Sequence, residues 1–595
     1  MTQSPAINWF FKVRDCKSLH TAGFAFAVNL ILFTAFAMFA SPCYETNDDL
    51  GMMRTASGLR SGEPSEYLVF SNILIGQVLK RLYQATDTIN WYSLYLYFAH
   101  FVACTSLLFV FLRRHCSALS VFLFLLLFVT FELRLLLVAQ FTSTAAVLAI
   151  SGLLMVLLAN ADEEDLPFFV PLLGILWIVL AAMIRDKACL LAMLISTPLV
   201  LNILWVFRSK RIILFLCASV VLSFAAIGYN RAVYLQHDGW RQYLEFNSVR
   251  GQIHGNPIGD ALFDTREGPY YHKLGWSQND AAMFYRWFFA DDKIYSTDKL
   301  KRIVDHFSSA SRPSGERLQY LRRQLDRVAP YIYATLFNVL LGVGLGYGQR
   351  LRVARVPLLT ILFATMVIVF LAASLRLPDR VTLSALFIIN AIIFFWCLSA
   401  HHTAPVPKYS DSWLARTVKI GLLVVLLFGY EFSLYYLSCD LIRLNDANRQ
   451  DQQSYARLID DLTSDFAQSG QQPVFVVWGA AFPYEWTPLF SDNRALSHLP
   501  IINLGWSTHS PLYRQSLKRH SIENIYQALY ERPDVYLIAW NDALPLLVTF
   551  VEEHFGETIM IESIRTYMNN FPSRSGQIYV TVSKAFRKPK TTGSN

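Results

Sequence analysis

Long apolar runs alternate with short polar interruptions along most of the chain. A helix needs about 20 apolar residues to cross the hydrocarbon core of a bilayer. Eleven runs meet that need, over 19–41, 91–112, 118–138, 141–160, 166–184, 187–207, 211–229, 330–349, 356–375, 381–399 and 416–438. Three longer polar blocks stand apart from them, at 42–90, 230–329 and 440–595. In the last block the period changes. Tyr455–Gln468 reads as a polar helix, Val474–Trp478 as a buried strand, and Ile522–Tyr530 as a helix capped by Ser521. Val535–Trp540 reads as strand, Leu544–His554 as helix, and Ile559–Ile564 and Gln577–Val582 as closing strands. The fold class expected is a polytopic α-helical membrane protein of about eleven spans over 1–438, followed by an α/β domain over 440–595. No Gly-rich loop follows the first strand of that domain, so no nucleotide site is expected there.

Composition agrees with the pattern. Hydrophobic residues make up 54% of the 595 and charged residues only 16%, against about 25% charged in a soluble domain. This excludes a disordered chain, a coiled coil and an ordinary soluble enzyme. The net charge of +8 is small for the length and reads as membrane topology, with no nucleic-acid partner. Eight cysteines without a CxxC pair exclude a disulfide scaffold and a zinc ribbon. Cys43 and Cys439 both fall at span ends, where either a disulfide or two free thiols would fit.

Basic residues in short loops set the orientation. Lys12, Arg14, Lys17, Arg113, Arg114, Arg208, Lys210, Arg211, Arg350, Arg352, Arg355 and Lys408 mark one side as cytoplasmic, although the acidic stretch Asp162–Asp165 breaks the trend. The first run is too long for a signal-peptide core and reads as an uncleaved anchor. The N-terminus is then cytoplasmic and the three polar blocks lie outside. No Asn-x-Ser/Thr sequon occurs, in line with a bacterial inner membrane and a periplasmic C-terminal domain.

Candidate chemistry gathers where the first span ends. Cys43-Tyr44-Glu45-Thr46-Asn47-Asp48-Asp49-Leu50 puts three acids beside the hydrocarbon boundary. From Pro64 to Tyr83, apolar Leu68, Val69, Phe70, Ile73, Leu74, Val78, Leu79 and Leu82 interleave with polar residues, as in a helix lying on a membrane. Two outer turns carry cations against the positive-inside trend: Arg185-Asp186-Lys187, and Arg376 with Asp379-Arg380. Snorkelling to lipid headgroups is the plainer explanation of such cations, and anion binding is the functional one. Glu132 and Arg134 near the end of the third span are further candidates. The histidines 272, 498 and 509 lack metal-site spacing. Gly342, Gly344, Gly346 and Gly348 suit close helix packing. Tyr270, Tyr271, Trp276, Tyr285 and Trp287 in the middle block suit either carbohydrate or an interface belt. The tetrapeptide Leu-Gly-Trp-Ser occurs at both 274–277 and 504–507, a coincidence of short words.

In layout the chain resembles the GT-C superfamily of multispanning glycosyltransferases. It is similar to the protein O-mannosyltransferases and the aminoarabinose transferases of lipid A. The likeness rests on one span, an acidic pair, a juxtamembrane helix, many further spans and an outer C-terminal domain. The relatives typically have Asp-Glu where this chain has Asp48-Asp49. The resemblance implies a polyprenyl-phosphate sugar donor and a glycan, lipid or protein acceptor of the cell envelope. Asp48 would be the base and Asp49 its partner. Arg185, Lys187, Arg376, Arg380 and Arg134 would contact the donor phosphate. A divalent cation, Mg or Mn, is left open, with Asp48 and Asp49 to hold it. Three rivals remain: an O-antigen polymerase or ligase, which needs no acidic first loop; a transporter or flippase, which predicts internal repeats; and a non-catalytic assembly scaffold.

Overall fold

The structure is a computed structural model that describes residues 18–159, 166–254, 268–307, 314–345, 350–374, 377–401, 413–467, 473–490, 499–572 and 576–588. Among these residues seven helices are long and apolar enough to cross a membrane: His20–Phe39, Trp91–Arg114, Ala118–Leu137, Phe169–Ile195, Lys210–Leu235, Arg355–Ala372 and Asp379–Ser399. Phe141–Leu157 and Thr197–Phe207 are shorter apolar helices. The runs expected at 330–349 and 416–438 fall within longer helices, Ser314–Leu345 and Trp413–Ala467. The chain is a multi-pass membrane protein. Asp379–His401 is buried inside the bundle, where Asn338 Nδ2 donates to Asn390 Oδ1 (2.9 Å) and Asn390 Nδ2 donates to Thr335 Oγ1 (2.9 Å). That network satisfies amides that apolar surroundings would otherwise penalise.

Two expectations about local structure change. The break expected between 184 and 187 is a kink inside Phe169–Ile195, centred on Arg185 at φ −156° and ψ 102°. The carbonyls at the kink find new donors: Asn72 N–H reaches Met183 O (2.8 Å) and the Ser71 hydroxyl reaches Ile184 O (3.1 Å). The amphipathic helix expected from Pro64 begins only at Ile73 and runs to Ala85. Asn72 caps it by accepting from Leu74 N–H (3.0 Å). The preceding residues fold back over it. A Cβ at Gly76 would stand 2.0 Å from the Glu66 carbonyl oxygen, so only glycine admits that crossing.

The helix Trp413–Ala467 carries its 55 residues far beyond the apolar stretch, about 80 Å at 1.5 Å per residue. Its polar part clamps the end of the first span. Asn445 Oδ1 accepts from Ser41 N–H (2.7 Å), Arg449 donates to Phe39 O (3.2 Å), and Gln452 donates to Pro42 O (2.7 Å). These bonds fill helix-terminal groups that would otherwise lack partners. They also fix the direction in which the acidic segment leaves the bundle. Cys43–Tyr44 (β1) then pairs in parallel with Val138–Ala139 (β2) at the end of the third span.

The C-terminal region is the expected α/β sheet. Its strands are Val474–Trp478 (β3), Ile501–Leu504 (β4), Val535–Ile538 (β5), Ile559–Phe571 (β6) and Gly576–Arg587 (β7), in the order β4-β3-β5-β7-β6. β4, β3 and β5 run parallel, whereas β7 and β6 close the sheet as an antiparallel hairpin. β3 is buried along its whole length, as its unbroken apolar run requires. The helix expected at Ile522–Tyr530 is Ile525–Glu531, and Asn524 caps it in place of Ser521, whose φ is +52°. The sheet shares a core with helices of the middle block. Phe288 stacks on Tyr526 (4.9 Å between centroids), Trp478 Nε1 donates to Arg286 O (2.7 Å), and Arg286 pairs with Asp542 (2.7 Å).

Candidate active site

Glu45 lies in a bend, but Asp48 and Asp49 do not sit in a loop. Asn47–Ala56 is a helix with Asp48 and Asp49 in its first turn, where the helix dipole favours negative charge. The two neighbours face different surroundings. Asp49 is fully buried. Its Oδ1 accepts from Tyr92 O–H (2.9 Å) and Phe141 N–H (3.0 Å), and its Oδ2 accepts from Thr46 O–H (3.1 Å). Burial pushes its pKa up to about 8, against the pull of the Phe141 and Tyr92 hydrogen bonds and with help from Asp48. Asp49 therefore ties the helix to two spans.

Asp48 is half-buried and lines a cavity. Burial raises its pKa, while Arg380, then Arg185, then Arg250 act to lower it. Glu45 joins the cluster through Arg380 Nη1, 3.9 Å from its carboxylate. Burial brings Glu45 up to about 7, opposed by Arg380 and Arg134 and reinforced by Asp379. Arg380 opens the helix Asp379–His401, Arg185 sits at the kink with its guanidinium 5.2 Å from the Phe141 ring, and Arg134 ends the third span. Three cations from three spans thus surround two acids from one short segment. Arg250 comes from Asp238–Ile253 and lies 4.8 Å over the Trp287 ring.

The cavity holds about 360 Å³ between the Asn47–Ala56 helix and the carboxyl ends of β3 and β4, the edge at which open α/β sheets usually bind ligands. Asn47, Asp48, Gly51 and Arg54 line one wall, and Gly479, Asn503, Trp506 and Trp540 line another. The second Leu-Gly-Trp-Ser copy, Leu504 to Ser507, forms part of that wall. Arg185 and Arg380 are not among its lining residues. Asp48 is therefore the group common to the arginine cluster and to the aromatic cavity.

The other expected residues fall as follows. Lys187 is exposed, with its N–H on the Asp186 carboxylate (2.8 Å). Arg376, Lys408, His498, Gly346, Gly348, the basic N-terminal flank and Asp162–Asp165 lie outside the described residues. Glu132 is fully buried in the bundle on His100 Nδ1 (2.6 Å) and Cys104 (3.2 Å), with His100 Nε2 on Thr144 (3.0 Å). His272 is exposed and His509 holds the Phe289 carbonyl (2.6 Å). No disulfide joins Cys43 to Cys439, and the Cys43 thiol faces the Leu137 carbonyl (3.9 Å). Sequence reasoning missed Arg54, Arg60 and Arg250. Helical spacing links Asn47, Gly51 and Arg54 once the segment is read as a helix, whereas Arg60 and Arg250 carry no such signal.

The donor set at the acidic pair does not suit a divalent cation. Both Asp49 oxygens are committed to protein donors, and three arginines dominate the charge acting on Asp48. Among the described residues Asp280, Glu553 and His554 form a group of the right composition for a metal. There Asp280 already accepts from Ser277 N–H (2.8 Å) and pairs with His554 (2.7 Å), so it latches the middle block to the helix Leu544–Phe555.

No family model matches the chain, and no curated protein matches it. Among solved structures it is similar to ArnT from Cupriavidus metallidurans in the apo state, at 9% identity and a TM-score of 0.39 over 98% of each chain. It is likewise similar to ArnT from Cupriavidus metallidurans bound to undecaprenyl phosphate, at 9% identity and a TM-score of 0.38 over 94% of this chain and 97% of that one. Likeness at this level assigns no role to any individual residue.

Proposed function

We propose that the chain is a membrane glycosyltransferase of the GT-C type. It moves a sugar from a polyprenyl-phosphate donor to a hydroxyl of an envelope glycan, lipid or protein. The site faces the periplasm of a bacterial inner membrane, and the N-terminus is cytoplasmic. The observation that carries this reading is the position of Asp48, with arginines from the spans around it and a cavity under the sheet beside it. Asp48 takes the acceptor proton as the hydroxyl oxygen attacks the anomeric carbon. The bond from that carbon to the phosphate oxygen breaks, and the electron pair leaves with the phosphate. Arg380 and Arg185, with Arg134 behind them, hold the growing negative charge. One displacement inverts the anomeric centre. A donor phosphate on these arginines also withdraws the charge that keeps Asp48 ionised, and so strengthens the base once the donor is bound. Asp49 positions Asp48 through its hold on Tyr92 and Phe141.

Comparing envelope glycans from a deletion strain with those from complemented strains tests the assignment. Loss of one sugar, restored by wild type and not by Asp48→Asn, is the expected result. Glycans unchanged by the deletion, or restored in full by Asp48→Asn, would refute it.

A further inference from the structure

Arg54 and Arg60 both line the cavity wall. Arg54 is 3% exposed and lies 5.0 Å over the Tyr484 ring. Arg60 lies 4.9 Å over the Trp506 ring. Neither forms an ion pair with an acid among the described residues, and Arg54 Nη1 and Arg60 Nε are buried with no hydrogen-bond partner. Burial, then the charge of Arg54, lowers the Arg60 pKa to about 10. Arg54 is buried and Arg60 half-buried beside it; the two cations repel each other and have lost much of their water, which a fold tolerates poorly unless an anion joins them. The backbone is arranged to keep them there. Gly51 has no side chain, and a Cβ on it would stand 2.6 Å from the Trp506 ring and 3.1 Å from Arg60 Nη2. The remaining lining is what a sugar ring uses: the indoles of Trp287, Trp506 and Trp540, and the amides of Asn47 and Asn503. Asp48 stands on the same wall, one turn before Gly51.

We propose that this cavity is the acceptor site and that the acceptor is an acidic saccharide, whose oxyanion binds between Arg54 and Arg60 while its sugar ring lies against the tryptophans. The acceptor hydroxyl then points to Asp48. This rests on the glycosyl-transfer reading for its role, but the binding site is testable without any transfer.

The test is calorimetric titration of the full chain in nanodiscs of zwitterionic lipid. Glucose 1-phosphate, glucose and a polyprenyl phosphate are the probes. Glucose 1-phosphate should bind more tightly than glucose, and Arg54→Gln or Arg60→Gln should weaken it by about tenfold or more, the scale of a lost charge-assisted pair. Arg185→Gln should leave it unchanged and weaken the polyprenyl phosphate instead. Wild type should also melt at a higher temperature with glucose 1-phosphate than with glucose, which guards against a variant that fails to fold. Equal binding of glucose and glucose 1-phosphate, or loss of polyprenyl-phosphate binding in the Arg54 and Arg60 variants, would overturn the proposal. The second result would make them donor contacts. Transfer without this binding sinks the acceptor site alone. Binding without transfer sinks the glycosyltransferase reading and leaves an acidic-saccharide site standing.

Discussion

Asp49 and Asp48 are adjacent in sequence, and the structure gives them different surroundings, so replacing Asp49 separates the two. Asp49→Asn keeps an oxygen for Tyr92 O–H and Phe141 N–H and turns the other atom into a donor that the Thr46 hydroxyl can accept. Asp49→Ala strands two buried donors at about 1–3 kcal/mol each, or roughly 2–6 kcal/mol together. The pH dependence is more telling. The folded Asp49 pKa is raised to about 8, above the ordinary value of about 3.9 that the unfolded chain retains. The protonated folded form is therefore favoured at low pH, and its stabilising contribution is lost as pH rises from about 4 towards 8. Asparagine does not titrate. Relative to wild type, Asp49→Asn should gain about 1.4 kcal/mol per pH unit across that window and level off above it. Glu45 and Asp48 titrate in both proteins and largely cancel in the difference. Thermal unfolding of both proteins in one detergent, at steps of about one pH unit from about 4.5 to about 8.5, measures the gap. A gap independent of pH would show that Asp49 stays ionised throughout, and the burial argument would fail.

Other substitutions probe the rest of the site. Arg380→Gln removes a part-exposed pair with Glu45 at 3.9 Å, so its melting temperature should barely move, the loss being under about 1 kcal/mol. Its affinity for a polyprenyl phosphate, measured by titration, should still fall about tenfold, as for a lost charged hydrogen bond. Gly51→Ala places a methyl group 2.6 Å from the Trp506 ring and should destabilise by about 1–3 kcal/mol as an overpacked site, seen as a lower melting temperature.

The large features of the fold were legible because they depend on period and length. Runs near 20 residues marked the spans, and the change of period after 440 marked the sheet, down to the strand Val474–Trp478. Caps and breaks were harder to read. The helix after Pro64 starts late because Asn72 competes for its first amide and because Glu66 folds back over Gly76, a tertiary contact that hydrophobic spacing does not encode. β4 was missed because Asn503 interrupts its short apolar run. At the site, the acids and the arginines of the short turns stood out as charges beside a membrane. That Asp49 turns inward while Asp48 lines the cavity depends on Tyr92 and Phe141, residues that look like ordinary span material. Arg54, Arg60 and Arg250 were hidden for a related reason: soluble segments contain many arginines, and only packing shows which ones stand near the acidic pair and the cavity.

We propose that Asp48 does chemistry and does not hold the donor. Asp48→Asn measured for both donor affinity and turnover tests it directly. Removing a negative charge beside Arg380 and Arg185 should leave polyprenyl-phosphate affinity equal or tighter, while turnover falls about 10²–10⁴-fold with the loss of the base. Turnover within about twofold of wild type, or donor affinity lost in step with turnover, would contradict it.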